Sequence, residues 1–252
     1  MELFFITGTD TGVGKTTLTA LMLCHLRRRG RRAVAMKPFC SGGREDAELL
    51  WALQEGAVSL DDINPFHFKE PLAPLAAARR HGRSISMREV LRCIAQAGSL
   101  TLNPENARTR RPLSNGTGKA PVLLVEGAGG LLAPLGTGFD ALELIKRLVV
   151  PPSEFCKAIV VARNCLGTIN HTLLTVRALR SVGISNSAVQ VVLMYTHSRD
   201  SSSASNPRLL RELLAPVQLL SLPFLGPDLD AAALPPLARR HGRVLSALLN
   251  NT

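Results

Sequence analysis

The chain is 252 residues long and 46% hydrophobic, so it can bury a large core as one domain or at most two small ones. Its formal net charge of +11 is typical of proteins that bind nucleic acid, a membrane surface or small anions. The basic residues form short scattered clusters, however, and aromatic residues make up only 4% of the chain, which argues against a nucleic-acid platform. No apolar run approaches the length of a membrane span. We therefore expect neither nucleic acid nor a membrane as a partner.

The five cysteines contain no C-x-x-C pair and are odd in number. This pattern predicts reduced, mostly buried thiols in an intracellular protein. The N-terminal region carries Glu2 and no basic segment ahead of an apolar stretch, so the pattern of a signal peptide is absent. We therefore expect a cytoplasmic location.

The first patterned segment is an apolar strand that runs into a Gly-rich turn, then Gly-Lys-Thr-Thr, then a helical pattern ending near Gly30. This order is typical of a phosphate-binding loop, because amides at a helix N-terminus attract an anion. Lys15 would reach the outer phosphates and the Thr16 hydroxyl would bind Mg²⁺. The strict pattern has glycine where this chain has Thr9, and Gly8 lies one residue early, so the loop is a variant. A tight turn with a merely exposed Lys15 is the less favoured interpretation.

Apolar runs and helical patterns alternate along the rest of the chain. Continuous apolar runs predict strands at residues 32–37, 121–126, 158–162, 190–194 and 218–222. Helical spacing predicts helices at residues 45–53, 86–97, 141–149, 167–180 and 234–249, and a short helix opened by Asn206-Pro207. Residues 98–120 are rich in Gly, Ser, Asn, Thr and Pro, which predicts an exposed insertion loop.

This alternation predicts an α/β fold, a single-domain, doubly wound, mostly parallel sheet of the P-loop NTPase type over residues 1–252. In such sheets ligands bind at the carboxyl ends of the strands. Lys15 follows the first strand, Lys37 ends the second and Glu126 ends a central one. We therefore expect these three side chains to meet at one edge of the sheet.

Each further candidate residue has two interpretations. Lys37 either reaches solvent at a strand end or, beside a phosphate loop, acts on a transferring phosphate. Glu126 is either a Mg²⁺ ligand or a cap for the amides of the following Gly-rich turn. Asp46, at the start of a helix, is either a metal ligand or a helix N-cap. Asn170 and His171 would bind a carboxylate, or are simply polar residues of a first helical turn.

Five segments together resemble the dethiobiotin synthetase family over most of the chain. They are residues 8–16 with the displaced glycine, Lys-Pro-Phe-Cys-Ser-Gly at 37–42, Asn-Pro-Phe-His-Phe-Lys-Glu-Pro at 64–71, Val-Glu-Gly-Ala-Gly-Gly at 125–130, and Leu-Gly-Thr-Ile-Asn-His at 166–171. Many ATPases share the loop, whereas this combination in this order is specific. The resemblance implies a cyclo-ligase of biotin biosynthesis. It would convert 7,8-diaminononanoate, CO₂ and ATP into dethiobiotin, ADP and phosphate, through a carbamate and a carbamic-phosphoric anhydride.

The resemblance also implies roles for individual residues. Lys15 and Lys37 would neutralise γ-phosphate and carbamate oxygens, and Thr11 and Ser41 would hydrogen-bond there. Mg²⁺ would be bound by Thr16, Asp46 and Glu126. The residues implied to bind ATP are Gly12, Val13, Gly14, Lys15, Thr16, Thr17, Asp46, Glu126, Gly127, Ala128, Gly129 and Pro223. The residues implied to bind the diamine are Lys37, Ser41, Gly167, Thr168, Ile169 and Asn170, the last four from the other subunit of a homodimer.

The chain departs from the family pattern at three places. Thr196-His197 stand where the family commonly has Asn-Asp near the adenine, which leaves base selectivity open. Cys165 lies where some members carry a basic residue near the substrate carboxylate, and residues 98–120 resemble an insertion of unknown purpose. The alternative function is a ParA-like or other nucleotide-binding switch ATPase without ligase activity. The second lysine that usually lies early in a ParA loop is absent here.

Overall fold

The structure is a computed structural model, and it describes residues 1–102, 119–149, 156–198, 200–227 and 229–249. Of the predicted insertion at 98–120, residues 103–118 lie outside these ranges. Within the described ranges, no helix has both the length and the apolar composition needed to cross a membrane.

A six-stranded sheet forms the centre of the fold. Its strands are β1 (Glu2–Gly8), β2 (Ala33–Met36), β5 (Val122–Glu126), β8 (Cys156–Arg163), β9 (Val189–Met194) and β10 (Gln218–Leu222). Their spatial order is β10-β9-β8-β1-β5-β2, and every neighbouring pair is parallel. β1, β2 and β5 are buried along their whole length, as continuous apolar runs require. The predicted α/β class with a parallel sheet is confirmed.

Helices cover the sheet on both sides. They are α1 (Lys15–Arg28), α2 (Glu45–Leu53), α3 (Leu60–Ile63), α4 (Pro74–Arg80), α5 (Met87–Leu102), α6 (Ala141–Val149), α7 (Thr168–Ser181), α8 (Asn206–Leu214), α9 (Leu234–Arg240) and α10 (Gly242–Leu249). β5 packs against both α1 and α5, and β10 packs against both α8 and α10. The sheet therefore lies between two helical layers, one containing α1, α9 and α10 and the other α6, α7 and α8.

Several features differ from the sequence predictions: α3 and α4 were not predicted, and α5 continues to Leu102, into the predicted insertion loop at 98–120. The final helix, predicted over residues 234–249, is interrupted at His241, because Gly242 has a low helix propensity. Two small sheets were not predicted: the parallel pair β3 (Phe39–Ser41) and β4 (Phe66–Phe68), and the antiparallel pair β6 (Pro134–Gly136) and β7 (Phe139–Asp140). All five cysteines are free as predicted, but only Cys40 is fully buried. The other four are partly exposed.

The strand order decides which side chains can meet. β1 lies between β8 and β5, and β2 lies on the far side of β5. Ile6 of β1 is opposite Glu126, and Met36 is opposite Val125. Lys37, the next residue after β2, therefore emerges beside Glu126 at the carboxyl edge of the sheet.

Candidate active site

A cleft of about 700 Å³ opens at the carboxyl edge of the sheet. The predicted residues that line it are Thr11, Gly12, Gly14, Lys15, Thr16, Thr17, Lys37, Ser41, Asp46, Glu126, Ala128 and Gly129. Most of these residues follow the ends of β1, β2 and β5, so the three strand ends converge as the sequence predicts, whereas Ser41 ends β3 and Asp46 lies in α2. The cleft also includes the segment Pro71–Pro74, which the sequence analysis did not assign to the site.

The variant phosphate loop depends on Gly8 rather than on a glycine at position 9. A Cβ atom on Gly8 would lie 2.8 Å from Val13 Cγ2 and 3.0 Å from the Asp10 carbonyl, so the loop folds too closely over this residue to admit a side chain. Gly14, at φ 100°, precedes α1 in the left-handed conformation. The displaced glycine therefore supplies the close approach that the loop needs, and Thr9 has no such constraint.

Lys15 is the first residue of α1 and is 6% exposed. Its Nζ atom donates a hydrogen bond to the Asp10 carbonyl at 2.8 Å, inside the loop. Burial, together with a smaller effect of nearby Lys37, lowers the pKa of Lys15 to about 8 against the opposing effect of Glu126. An anion in the loop would favour the charged form of Lys15. The side chain is therefore suited to binding phosphate, and Lys15 is not an exposed lysine on a tight turn.

Lys37, Glu126, Asp46 and Thr16 form one hydrogen-bonded cluster at the floor of the cleft. Lys37 Nζ lies 2.7 Å from Glu126 Oε1, and it also donates to Asp46 Oδ2 and to Thr16 Oγ1. Thr16 Oγ1 donates to Glu126 Oε1 at 2.7 Å. Burial alone would lower the pKa of Lys37, but the Glu126 and Asp46 carboxylates outweigh it and raise that pKa above its ordinary value. Lys37 is 7% exposed, so it is not a lysine that has reached the solvent.

The same cluster contains oxygen ligands suited to Mg²⁺. Glu126 is fully buried, and its second oxygen, Oε2, has no hydrogen-bond partner in the described part of the chain. Asp46 lies in the first turn of α2 rather than at its N-cap, which is Arg44, and its side chain is about half exposed. No group of three or more His, Cys, Asp or Glu side chains able to hold a metal occurs among the described residues. Mg²⁺ usually takes one or two carboxylates, phosphate oxygens and water, so Thr16, Asp46 and Glu126 fit that ion.

Residues 63–68 hold the Lys37 segment in place. The Asn64 side chain donates to the Lys37 carbonyl at 2.8 Å, and the Lys37 amide donates to the Ile63 carbonyl at 2.9 Å. Phe39 and Phe66 stack with ring centroids 4.9 Å apart, where β3 pairs with β4. Ser41, at the end of β3, lines the cleft with a buried Oγ atom that lacks a partner among the described residues. Such a hydroxyl is available to a ligand.

A smaller pocket of about 200 Å³ adjoins the loop on its other side. It shares Gly12, Gly14 and Thr17 with the cleft, and the predicted residues Val13 and Pro223 line it. Sequence reasoning missed Arg163, whose Nη2 atom donates to the Gly12 carbonyl at 2.6 Å, and Phe224, whose ring packs near His197. A nucleotide with its phosphates in the loop would extend its base into this pocket.

Five predicted residues line neither the cleft nor the smaller pocket. The Gly127 amide donates to the Ile6 carbonyl at 2.8 Å, so this glycine joins β5 to β1 beneath the cleft. Gly167, Thr168, Ile169 and Asn170 form the start of α7, at the end of β8, and none of them is among the residues lining either described pocket. Asn170 is exposed, whereas Thr168 Oγ1 is buried and lacks a partner within the described ranges.

The sequence of this chain is similar to a protein-family profile and to curated proteins from several bacteria. A protein-family profile described as an AAA domain matches residues 2–227. The ATP-dependent dethiobiotin synthetase BioD of Bacillus subtilis (strain 168) is 35% identical over 218 residues, which cover 84% of this chain and 83% of that protein. The protein of the same name from Anaeromyxobacter sp. (strain K) is 36% identical over 252 residues, with 98% of each chain covered.

Solved structures that resemble the chain include P-loop NTPases. A putative plasmid partition protein (BB_S35) from Borrelia burgdorferi B31, bound to AMPPNP, aligns with a TM-score of 0.56 and 9% identity over 100% of this chain and 99% of its own. MinD in the MinC:MinD cell division protein complex from Aquifex aeolicus aligns with a TM-score of 0.52 and 15% identity over 96% of both chains. At these identities the likeness shows the fold alone, and it confirms the P-loop NTPase-like architecture.

Proposed function

This chain belongs to the dethiobiotin synthetase family, and from that premise we propose that it is a cyclo-ligase acting on 7,8-diaminononanoate, CO₂ and ATP. One substrate amine takes up CO₂ as a carbamate, and a carbamate oxygen attacks the γ-phosphorus of ATP with release of ADP. The second amine then attacks the carbonyl carbon of the mixed anhydride, closes the cyclic urea and expels phosphate. The products are dethiobiotin, ADP and phosphate.

The observation that carries this proposal is the position of Lys37. It lies between the Glu126 carboxylate and the phosphate loop, with its charge secured by two carboxylates and its backbone fixed by Asn64. A cation fixed there can neutralise a carbamate oxygen and a γ-phosphate oxygen together, which brings nucleophile and electrophile into contact. Lys15 would neutralise the phosphates from the loop side, and Thr11 and the Ser41 hydroxyl, which has no partner in the described ranges, would orient the carbamate.

We also propose that the enzyme uses Mg²⁺ held by Thr16, Asp46 and Glu126. The ion would supply charge neutralisation on the phosphate oxygens. Glu126 Oε2 has no partner among the residues that the structure describes, which supports this assignment, because a buried carboxylate oxygen is costly to leave without a partner.

We also propose a homodimer, and the position of the start of α7 supports it. Residues 167–170 do not line the cleft of their own chain, so they can bind the substrate carboxylate only if a second subunit brings them to it. The neighbouring surface includes two exposed leucines, Leu166 at 82% and Leu174 at 56%, which a second subunit could cover. Mixing Lys15→Ala and Asn170→Ala subunits should therefore restore activity, because some heterodimers contain one intact site. No recovery on mixing would count against sites shared between subunits.

The direct test is ADP release with diaminononanoate and bicarbonate together, and with each omitted. The proposal requires both substrates for turnover and dethiobiotin as the product. ADP release that ignores the diamine, or that rises on addition of DNA, would instead indicate a ParA-like switch ATPase. Because the reaction consumes ATP and all five cysteines are free, we propose a cytoplasmic location.

A further inference from the structure

A second depression lies at the far end of α1 from the cleft. It has a volume of about 450 Å³. We call it the α1–α10 pocket, and its lining includes His25, Arg28, Arg29, Gly242, Arg243 and Ser246. A helix rises about 1.5 Å per residue, so His25 lies about 15 Å along the helix axis from Lys15. The α1–α10 pocket is therefore separate from the candidate active site.

The lining of the α1–α10 pocket is strongly basic. Arg28, Arg29 and Arg243 contribute three guanidinium groups, and none of the lining residues in the described structure is acidic. Arg29 Nη1 donates to Ser246 Oγ at 3.2 Å, whereas Arg28 and Arg243 are exposed and make no ion pair within the described ranges. Three cations thus share one concave surface without a described counter-charge.

A buried imidazole nitrogen lies at the base of the pocket. His25 is 1% exposed, its Nε2 atom is 3.1 Å from Ser246 Oγ, and its Nδ1 atom is buried without a partner in the described chain. Burial lowers the pKa of His25, and Arg29 and Arg28 lower it further, which favours the neutral ring. If the Ser246 hydroxyl donates to Nε2, Nδ1 carries the proton and is a hydrogen-bond donor without an acceptor.

Gly242 completes the cradle. A Cβ atom on Gly242 would lie 3.6 Å from Arg28 Nη2 and 3.7 Å from His25 Nδ1, so both donors converge on the start of α10.

Basic residues at the end of α1 could simply stabilise its helix dipole. That explanation fails for Arg243, which lies in the first turn of α10, where a positive charge opposes the dipole. An anion between them would satisfy all of these groups.

We propose that the α1–α10 pocket binds the phosphate group of a small anionic molecule. Guanidinium forks match phosphate oxygens in pairs, and a helix N-terminus adds amide donors and a favourable dipole. The His25 Nδ1–H group supplies one more donor from below, once the exposed Arg28 side chain turns outward to bind the anion from above. The phosphate can be free inorganic phosphate or can belong to an organic molecule, because both present the same oxygens.

The test is calorimetric titration of the Lys15→Ala protein with inorganic phosphate, at constant ionic strength adjusted with chloride. Lys15→Ala weakens phosphate binding at the candidate active site, so the remaining one-site binding reports on the pocket. Arg28→Gln and Arg243→Gln should each weaken it about tenfold, as expected for the loss of one charge-assisted contact. Arg211→Gln on α8 removes the same charge from an exposed position in the other helical layer and should leave the affinity unchanged.

Two further measurements test the position of the phosphate and the kind of ligand. Gly242→Ala places a methyl group in the cradle at ordinary contact distances, so it should weaken phosphate binding without unfolding the protein, as circular dichroism can check. Ribose 5-phosphate binding more tightly than phosphate would identify an organic phosphate as the ligand, and weaker or equal binding would identify free phosphate. The proposal is overturned by an absence of saturable binding, or by an equal loss in Arg211→Gln. It is also overturned if only duplex DNA or anionic vesicles bind in a manner that depends on Arg28 and Arg243.

Discussion

Replacing Lys37 with methionine should reduce both stability and turnover, for reasons that can be separated. Lys37 pairs with Glu126, which is fully buried, and with Asp46, whose side chain is 52% exposed. Removing one partner of a buried pair costs about 3–5 kcal/mol, because a buried charge is left uncompensated. Loss of the pair with the half-exposed Asp46 adds at most about 1 kcal/mol to this cost. Glu126 keeps its hydrogen bond from Thr16, so we expect a loss of about 3 kcal/mol in the free energy of unfolding.

Urea unfolding of three variants tests this value. The double variant Lys37→Met/Glu126→Gln removes both charges, so it should recover about 2 kcal/mol or more of the lost stability while remaining inactive. The control is Lys146→Met on α6, which removes a lysine 3.9 Å from Glu143, both with side chains 43% exposed. Such a surface pair contributes less than about 1 kcal/mol. If Lys37→Met is no more destabilising than Lys146→Met, the argument from the buried pair is wrong.

Turnover is measured separately from stability. We expect kcat of Lys37→Met to fall by about 10²–10³, as when a single preorganised donor to a developing charge is lost. The dissociation constant of ATP should change little, since Lys15 and the loop amides remain. An unchanged kcat would show that Lys37 only balances the charge of Glu126 and has no role in the reaction.

Three further predictions concern the same cleft. Ser41→Ala should leave the melting temperature unchanged, because its hydroxyl has no partner in the described structure, but should lower kcat/KM for the diamine. Gly8→Ala should weaken ATP binding measured by calorimetry about tenfold or more, because its Cβ would lie 2.8 Å from Val13 Cγ2, whereas Thr9→Gly should keep wild-type affinity. Burial lowers the pKa of Lys15 from 10.5 to about 8, so the unfolded chain binds more protons between these values. Ligand-free protein should therefore gain up to about 3 kcal/mol relative to Lys15→Met as pH rises through this window, measured by urea unfolding. If the difference in unfolding free energy between the two proteins does not change with pH, the lowered pKa of Lys15 is wrong.

The predictable part of the site is the part fixed by strand ends. Lys15, Lys37 and Glu126 each follow an apolar run, and parallel strands bring their carboxyl ends to one edge, so their convergence follows from the sequence. That Lys37 pairs with Glu126 depends on β2 lying next to β5, and the sequence contains no local signal for that strand order. The resemblance to dethiobiotin synthetase supplied Ser41 and Pro223, which spacing alone does not single out.

Other features escaped prediction because they depend on long-range contacts or on very short elements. β3 and β4 are three residues each, too short for a periodic pattern to emerge, and they are held together by the stacking of Phe39 on Phe66. Arg163 reaches a carbonyl 151 residues away in the chain. The helical pattern of α1 places His25 close to several arginines. That pattern gives no indication that α10 buries the His25 side chain.

The central position of β1 has a consequence for the order in which the molecule assembles. β1 pairs with strands from much later in the chain, with Glu2 opposite Val122 and Leu3 opposite Cys156. Bringing together strands so far apart in the chain is slow, because the entropy of loop closure is lost before any strand pairing forms. In addition, β8 must be synthesised before β1 has both neighbours. The phosphate loop, at the end of β1, can therefore hold nucleotide only after these late strands have docked. We expect ATP to slow the unfolding of the finished protein while leaving its folding rate unchanged, so that nucleotide binding marks completed chains.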